Sequence, residues 1–155
     1  MDALLPVQVL SAPSHARIEE RVRELAGQLA GCGAVPARLA WLIERARRRP
    51  PPAAGLRSDA HLLPGCLSRL WLATEFREGR CRFTCDSDSQ VVRAVSGLLC
   101  ELADNQPPAA ILAAPPDLPR QLSLDRLLTA SRRAAQSRVW EHIREFARRH
   151  AAEGS

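Results

Sequence analysis

HLLPGCLSRLWLATEFREGRCRFTCDSD, residues 61–88, is the stretch on which the fold turns. In its middle Leu70, Leu72, Thr74 and Phe76 alternate with Arg69, Trp71, Ala73 and Glu75. Beyond Glu78-Gly79, Cys81, Phe83 and Cys85 alternate with Arg80, Arg82 and Thr84. A period of two on both sides of a Glu-Gly pair predicts a β-hairpin. Upstream, His61-Leu62-Leu63 is long enough for a short third strand, ended by Pro64-Gly65. Cys66 then falls at the tip of a loop between two strands, beside a glycine, where a thiol can be presented to another protein.

Working outward, the N-terminal side reads as helical. Ile18, Val22, Leu25 and Leu29 share one face of a helix predicted over about Ser14 to Ala30, with Ser14 as N-cap and Gly31 and Gly33 as punctuation. A second helix opens with Pro36 in its first turn, carries Leu39, Leu42, Ile43 and Ala46, and stops at Pro50-Pro51-Pro52. From there to Asp59 the chain reads as a stiff, extended connector with little to fold.

Downstream of the hairpin, Ser87 or Asp88 is placed to cap an apolar helix bearing Val91, Val92, Val95, Leu98, Leu99 and Leu102, the candidate for the centre of the core. Pro108 to Leu112 and Leu122 to Leu128 read as short helical pieces. A last helix follows, with Ala135, Val139, Ile143 and Phe146 on its inner face. This order predicts an α+β fold: a three-stranded antiparallel sheet with helices packed on one face. At 155 residues the chain fits a single domain with its structured core over about 14–150.

Composition narrows the chemistry. All 22 basic residues are arginine, so there is no lysine for a Schiff base or a P-loop, and the chain cannot hold pyridoxal phosphate in the usual way. No apolar run approaches the ~20 residues of a membrane helix. Without a recognisable signal or transit sequence, the expected compartment is the cytoplasm. Five cysteines in that setting favour free thiols or metal over a disulfide framework. Cys81 and Cys85 point to the same side of a strand about 13 Å apart, too far to share one ion, and no C-x-x-C pair exists, so no metal site is expected. The serines lack a G-x-S-x-G context. The run Arg45 to Arg49 and the arginines of the last helix leave a nucleic-acid-binding module as an alternative, weakened by interleaved Glu141, Glu145 and Glu153 and by the lack of a stacking stripe.

Gly65-Cys66-Leu67-Ser68-Arg69-Leu70-Trp71, a hairpin, Asp86-Ser87-Asp88 opening an apolar helix, and Thr129-Ala130-Ser131-Arg132 entering the last helix together resemble the SufE family. The likeness runs over roughly Arg17 to Ala147. It implies a SufE/IscU-like arrangement and a sulfur acceptor that works with a SufS/CsdA-type cysteine desulfurase. Cys66 would carry sulfur as a transient persulfide to a cluster scaffold such as SufBCD, pyridoxal phosphate belonging to the partner, and the protein would activate the desulfurase without being a complete enzyme; the further alternative is a SufE-like interaction protein without sulfur transfer.

The resemblance also implies supporting roles. Gly65 would give the loop freedom, and Asp86 and Asp88 would shape the loop or the desulfurase-facing surface. Arg132 would stabilise an anionic sulfur or bind Asp88. His61, where the family usually has Asn, would act on Cys66 by charge. A helix N-cap is the plainer reading of the aspartates, and a hydrogen-bonded strand end that of His61. The chain departs from the family pattern at Leu67, Cys85, Ala130 and Ala134 to Gln136.

Overall fold

A hairpin whose inner face is apolar must be covered, and here one helix does most of the covering. The computed structural model describes residues 14–64 and 68–152, the side chains of 14–17, 125 and 131 excepted. In chain order the elements are helix α1 (Ser14–Cys32), helix α2 (Val35–Arg47), a 3₁₀ turn (Asp59–His61) and strands β1 (Leu70–Arg77) and β2 (Arg80–Ser87). Helices α3 (Gln90–Ala103), α4 (Pro108–Ala113) and α5 (Leu118–Gln121) follow, then a second 3₁₀ turn (Leu124–Leu127) and helix α6 (Ala130–Ala151). The fold is α+β, built on an antiparallel β1–β2 pair in which Leu70 faces Ser87 and Arg77 faces Arg80.

The expected third strand is reduced to one residue. His61 ends the 3₁₀ turn, and Leu62 alone forms a bridge, to Trp71, while the Leu63 N–H donates to the Leu70 carbonyl at 2.9 Å. The chain reaches the sheet edge out of a tight turn, and Pro64, with no N–H to donate, follows directly.

Helix α3 is the centre of the core. Val92, Val95, Leu98, Leu99 and Leu102 are all buried, with β2, α2 and α6 packed around it. The N-cap is Ser89, not Ser87 or Asp88: its hydroxyl accepts from the Val92 N–H at 3.2 Å. Ser87 Oγ instead donates to the Arg69 carbonyl and accepts from the Ser89 N–H, tying the end of β2 to the start of β1.

At the other end of α3, three carbonyls that lack helical partners (Glu101, Leu102 and Asp104) accept from Nη1 of Arg21 on α1. The chain then turns back on the sheet, Cys81 pairing with Gln106, and Asp104 accepts from the Phe83 N–H and from Arg82. Ile18, Leu25 and Leu29 of α1, Leu42 of α2, and Ala135, Val139, Ile143 and Phe146 of α6 close the core, as their spacing predicts.

The hairpin turn has both central residues at positive φ, Glu78 at 54° and Gly79 at 76°, the pattern of a type I′ turn. Glycine suits it; glutamate carries a Cβ into a region that asparagine tolerates better. Glu78→Asn should therefore stabilise the protein by about 0.5–1 kcal/mol, read as a raised urea midpoint with an unchanged slope.

Candidate functional site

The connector before Cys66 carries the residue that organises the site. Leu56 is buried at 4% exposure, and the next residue, Arg57, reaches over the indole of Trp71, its guanidinium carbon 4.7 Å from the ring centroid. From there Nε donates to Asp86 Oδ2 at 2.7 Å, Nη1 to Asp88 Oδ1 at 3.1 Å, and Nη2 to the Ser87 carbonyl at 3.4 Å. The connector is thus fastened to the hairpin, contrary to the expectation of a segment with little to fold. It also explains why Trp71 is buried although it lies on the sheet face away from α3.

Asp86 and Asp88 have different environments. The Asp86 side chain is 5% exposed; its other oxygen accepts from the Ser87 N–H at 2.8 Å and lies 3.7 Å from Arg93. Burial would raise its pKa, but the hydrogen bonds from Arg57 and Ser87 and the charges of Arg57 and Arg93 outweigh that, so the carboxyl sits below its ordinary value. Asp88 is half exposed and shares Arg57. Its N–H donates to the Arg69 carbonyl at 3.2 Å, three residues along from Cys66.

Gly65 and Cys66 lie outside the described residues. The chain that contains them is bracketed by the Leu63–Leu70 hydrogen bond and, at Arg69, by Ser87 and Asp88. His61 is half-buried at the end of the 3₁₀ turn, its N–H bonded to the Ser58 carbonyl. Arg132 is half-buried in the first turn of α6; Asp88 is paired with Arg57 instead. The structure therefore brings together Asp86, Asp88 and the chain on both sides of Cys66. The residue that joins them, Arg57, is absent from the sequence-based set. Its signal was one leucine followed by an arginine after a Pro- and Ala-rich run.

Two of the other thiols, Cys81 and Cys100, are poor nucleophiles. Burial pushes the Cys81 thiol up to about 11. Cys100 lies well above its ordinary value because of its hydrogen bond with Cys85, and then its own burial. Among the described residues no three His, Cys, Asp or Glu side chains gather in a way that could hold a metal, and no helix is long and apolar enough to cross a membrane.

The arginine run is internally matched. Arg45 and Arg49 both bind Glu101, while Arg47 and Arg48 lie 3.8 Å from Glu44. The Glu101 carboxyl, raised by burial but lowered more by its two arginines, also ends below its ordinary value.

Two carboxyls with depressed folded pKa values make stability fall in acid. Their contribution is complete above the ordinary values of 3.8 for Asp86 and 4.5 for Glu101, and is lost as pH falls through the lower folded values. Urea unfolding should show a plateau from pH 7 to about 5 and a decline below about pH 4. Arg57→Ala should cost about 1–2 kcal/mol at pH 7, the half-exposed guanidinium keeping the figure modest, and the gap to the parent protein should narrow as Asp86 protonates.

Comparisons with known proteins agree with this geometry. Residues 23–147 match the family described as "SufE: Fe-S metabolism associated domain". The chloroplastic quinolinate synthase of Arabidopsis thaliana is 29% identical over 76 residues, 48% of this chain and 11% of that protein. The enzyme of the same name from Nicotiana tabacum is 28% identical over 104 residues, 66% of this chain and 14% of that protein. The chain thus spans only a small part of these relatives.

The solution structure of a hypothetical protein from Thermus thermophilus superposes with a TM-score of 0.68 at 20% identity, covering 88% of this chain and 96% of that one, which establishes likeness of fold. With the hairpin, the Asp86-Ser87-Asp88 corner and the central helix in the order the family pattern requires, the chain belongs to the SufE family of Fe-S metabolism associated domains.

Proposed function

We propose that this protein accepts sulfur on Cys66 from a cysteine desulfurase and passes it to an iron–sulfur cluster scaffold. The observation that carries the reading is family membership across residues 23–147, with Cys66 standing in the family's Gly-Cys-x-Ser motif. A thiol of ordinary pKa is only about 3% ionised at neutral pH, so the acceptor must supply a thiolate when the donor arrives. The Cys66 thiolate attacks the outer sulfur of the desulfurase persulfide. A new S–S bond forms to Cys66, the old one breaks, and the desulfurase cysteine leaves as its own thiolate. No electrons are gained or lost overall, so no resident cofactor is needed, and the pyridoxal phosphate that frees sulfur from cysteine belongs to the partner.

The surroundings of the Cys66 segment support this reading. On either side of it the chain is tied to the hairpin, through the Leu63–Leu70 bond and the Arg69 carbonyl. Leu62, four residues earlier, is 37% exposed and offers apolar contact to a docking protein. In this reading Gly65 gives the loop room to move, and Asp88 and Arg132 contribute polar contacts to a SufS/CsdA-type partner. His61 tunes the charge near the thiol. The scaffold that receives the sulfur is of the SufBCD kind, and the setting is the cytoplasm. The alternative of nucleic-acid binding has no comparable support, since the Arg45 to Arg49 run is engaged in ion pairs.

Incubation with a cysteine desulfurase and cysteine, followed by mass spectrometry of the peptides, should find one added sulfur on the Cys66 peptide. Cys66→Ser should abolish stimulation of the desulfurase, while Cys81→Ser and Cys32→Ser should leave it intact. Equal loss in all three variants would overturn the assignment.

A further inference from the structure

Where α3 returns along β2, it sets two cysteines against each other. Cys81, Phe83 and Cys85 alternate on the inner face of the hairpin, and the half-buried Cys85 packs against the core. The register between strand and helix is fixed by three hydrogen bonds. The Cys81 N–H donates to the Gln106 carbonyl and the Asn105 N–H to the Cys81 carbonyl, both at 2.8 Å, and the Phe83 N–H donates to Asp104 Oδ1 at 3.0 Å. From Phe83, two residues along β2 cover about 6.6 Å and reach Cys85. From Asp104, one turn back along α3 covers about 6 Å. It reaches Cys100, whose carbonyl accepts from the Asp104 N–H at 2.8 Å. Strand and helix thus keep step, and the two free thiols meet in a hydrogen bond.

The members of the pair differ in a way that suits stepwise oxidation. Cys100 is 4% exposed, whereas Cys85 keeps a surface that a small hydroperoxide can touch. The hydrogen bond with Cys85 and then burial hold Cys100 protonated, which makes it a poor nucleophile toward molecules in solution. Against a neighbour already in contact, proximity replaces that missing reactivity. Arg49, which crosses α3 at Gly97 and binds Glu101, puts a positive charge beside Cys100 and favours its thiolate. Cys81 shares the strand face but stands about 13 Å from Cys85, so it cannot compete as the partner.

We propose that Cys85 and Cys100 are a disulfide site, closed by hydroperoxides and reopened by thiols, that clips β2 to the central helix one residue before Asp86. The Cys85 thiolate attacks one oxygen of the hydroperoxide. The O–O bond breaks, the other oxygen leaves as water or alcohol, and Cys85 becomes a sulfenic acid. The Cys100 sulfur then attacks the Cys85 sulfur. An S–S bond forms, the S–O bond breaks, and the hydroxide leaves as water with the Cys100 proton. The two thiols give up two electrons and two protons, and the hydroperoxide takes up both. The assignment does not depend on sulfur transfer at Cys66.

The test treats the reduced, full-length protein with hydrogen peroxide, blocks the remaining thiols and cleaves after arginine, followed by mass spectrometry. Cys85 then lies in residues 83–93, Cys100 in 94–120 and Cys81 in 81–82, so each pairing has its own mass. Peptides 83–93 and 94–120 should be joined with the loss of two hydrogens, about tenfold or more above any other cysteine pair. Dithiothreitol should part them. Cys66→Ser should give the same linked pair. Cys100→Ala should leave Cys85 to advance to a sulfinic acid, and Cys85→Ala should leave Cys100 a free thiol. Absence of the linked pair from the parent protein, its formation only where Cys66 is present, or parent-like oxidation of Cys100 in Cys85→Ala would each overturn the proposal.

Discussion

A carboxylate with 5% of its side chain exposed cannot remain ionised unless donors surround it, and Asp86 is such a group. Its position at the end of β2 is set by the hairpin register, so the donors must come to it. Ser87 provides one from the backbone, and Arg57 provides the other from 29 residues earlier in the chain. Meeting that need draws the connector across Trp71 and places Leu56 in the interior. It also sets the path by which the chain approaches Leu62 and Leu63. The geometry around the Cys66 segment follows from one buried charge and the arginine that answers it.

The same logic recurs where polar groups are left over by the helices and strands. Arg21 satisfies carbonyls at the end of α3, Arg45 and Arg49 hold Glu101, and Arg144 holds the loop after α4. In a chain without lysine, the forked, five-donor guanidinium carries all of this long-range fastening. Arg45, Arg49 and Arg144, part of the basic charge that suggests a nucleic-acid surface, are therefore structural.

How much of this was legible in the sequence depended on whether the information was local. The faces of α1, α3 and α6 and the hairpin alternation over 81–85 were readable, because periodicity records which side of an element is buried. The cap of α3 was misplaced by one or two residues, since Ser87, Asp88 and Ser89 are all good caps and only the geometry of the Arg69 contacts decides among them. His61-Leu62-Leu63 looked like a strand, but a single bridge formed, because strand length depends on a partner edge that sequence does not display. Arg57 was invisible for the same reason: its meaning lies in a contact with Asp86, not in its neighbours.

Helix α3 has a glycine, Gly97, at a buried position where a Cβ would collide with the Arg49 guanidinium. The missing side chain makes a notch across which Arg49, just past the end of α2, lies to reach Glu101. The notch acts as an axial stop, preventing α2 from sliding along α3 by a turn without losing the ion pair. Residue 49 is then the last anchored point of the N-terminal helical pair, and Leu56 with Arg57 is the next. Between the two run Pro50-Pro51-Pro52 and then a turn, in which the Leu56 N–H donates to the Ala53 carbonyl at 3.2 Å and Gly55 takes a φ of 93°. The helical pair and the hairpin corner are thus moored separately, and the exposed, bent link between them leaves each free to be altered without dragging the other.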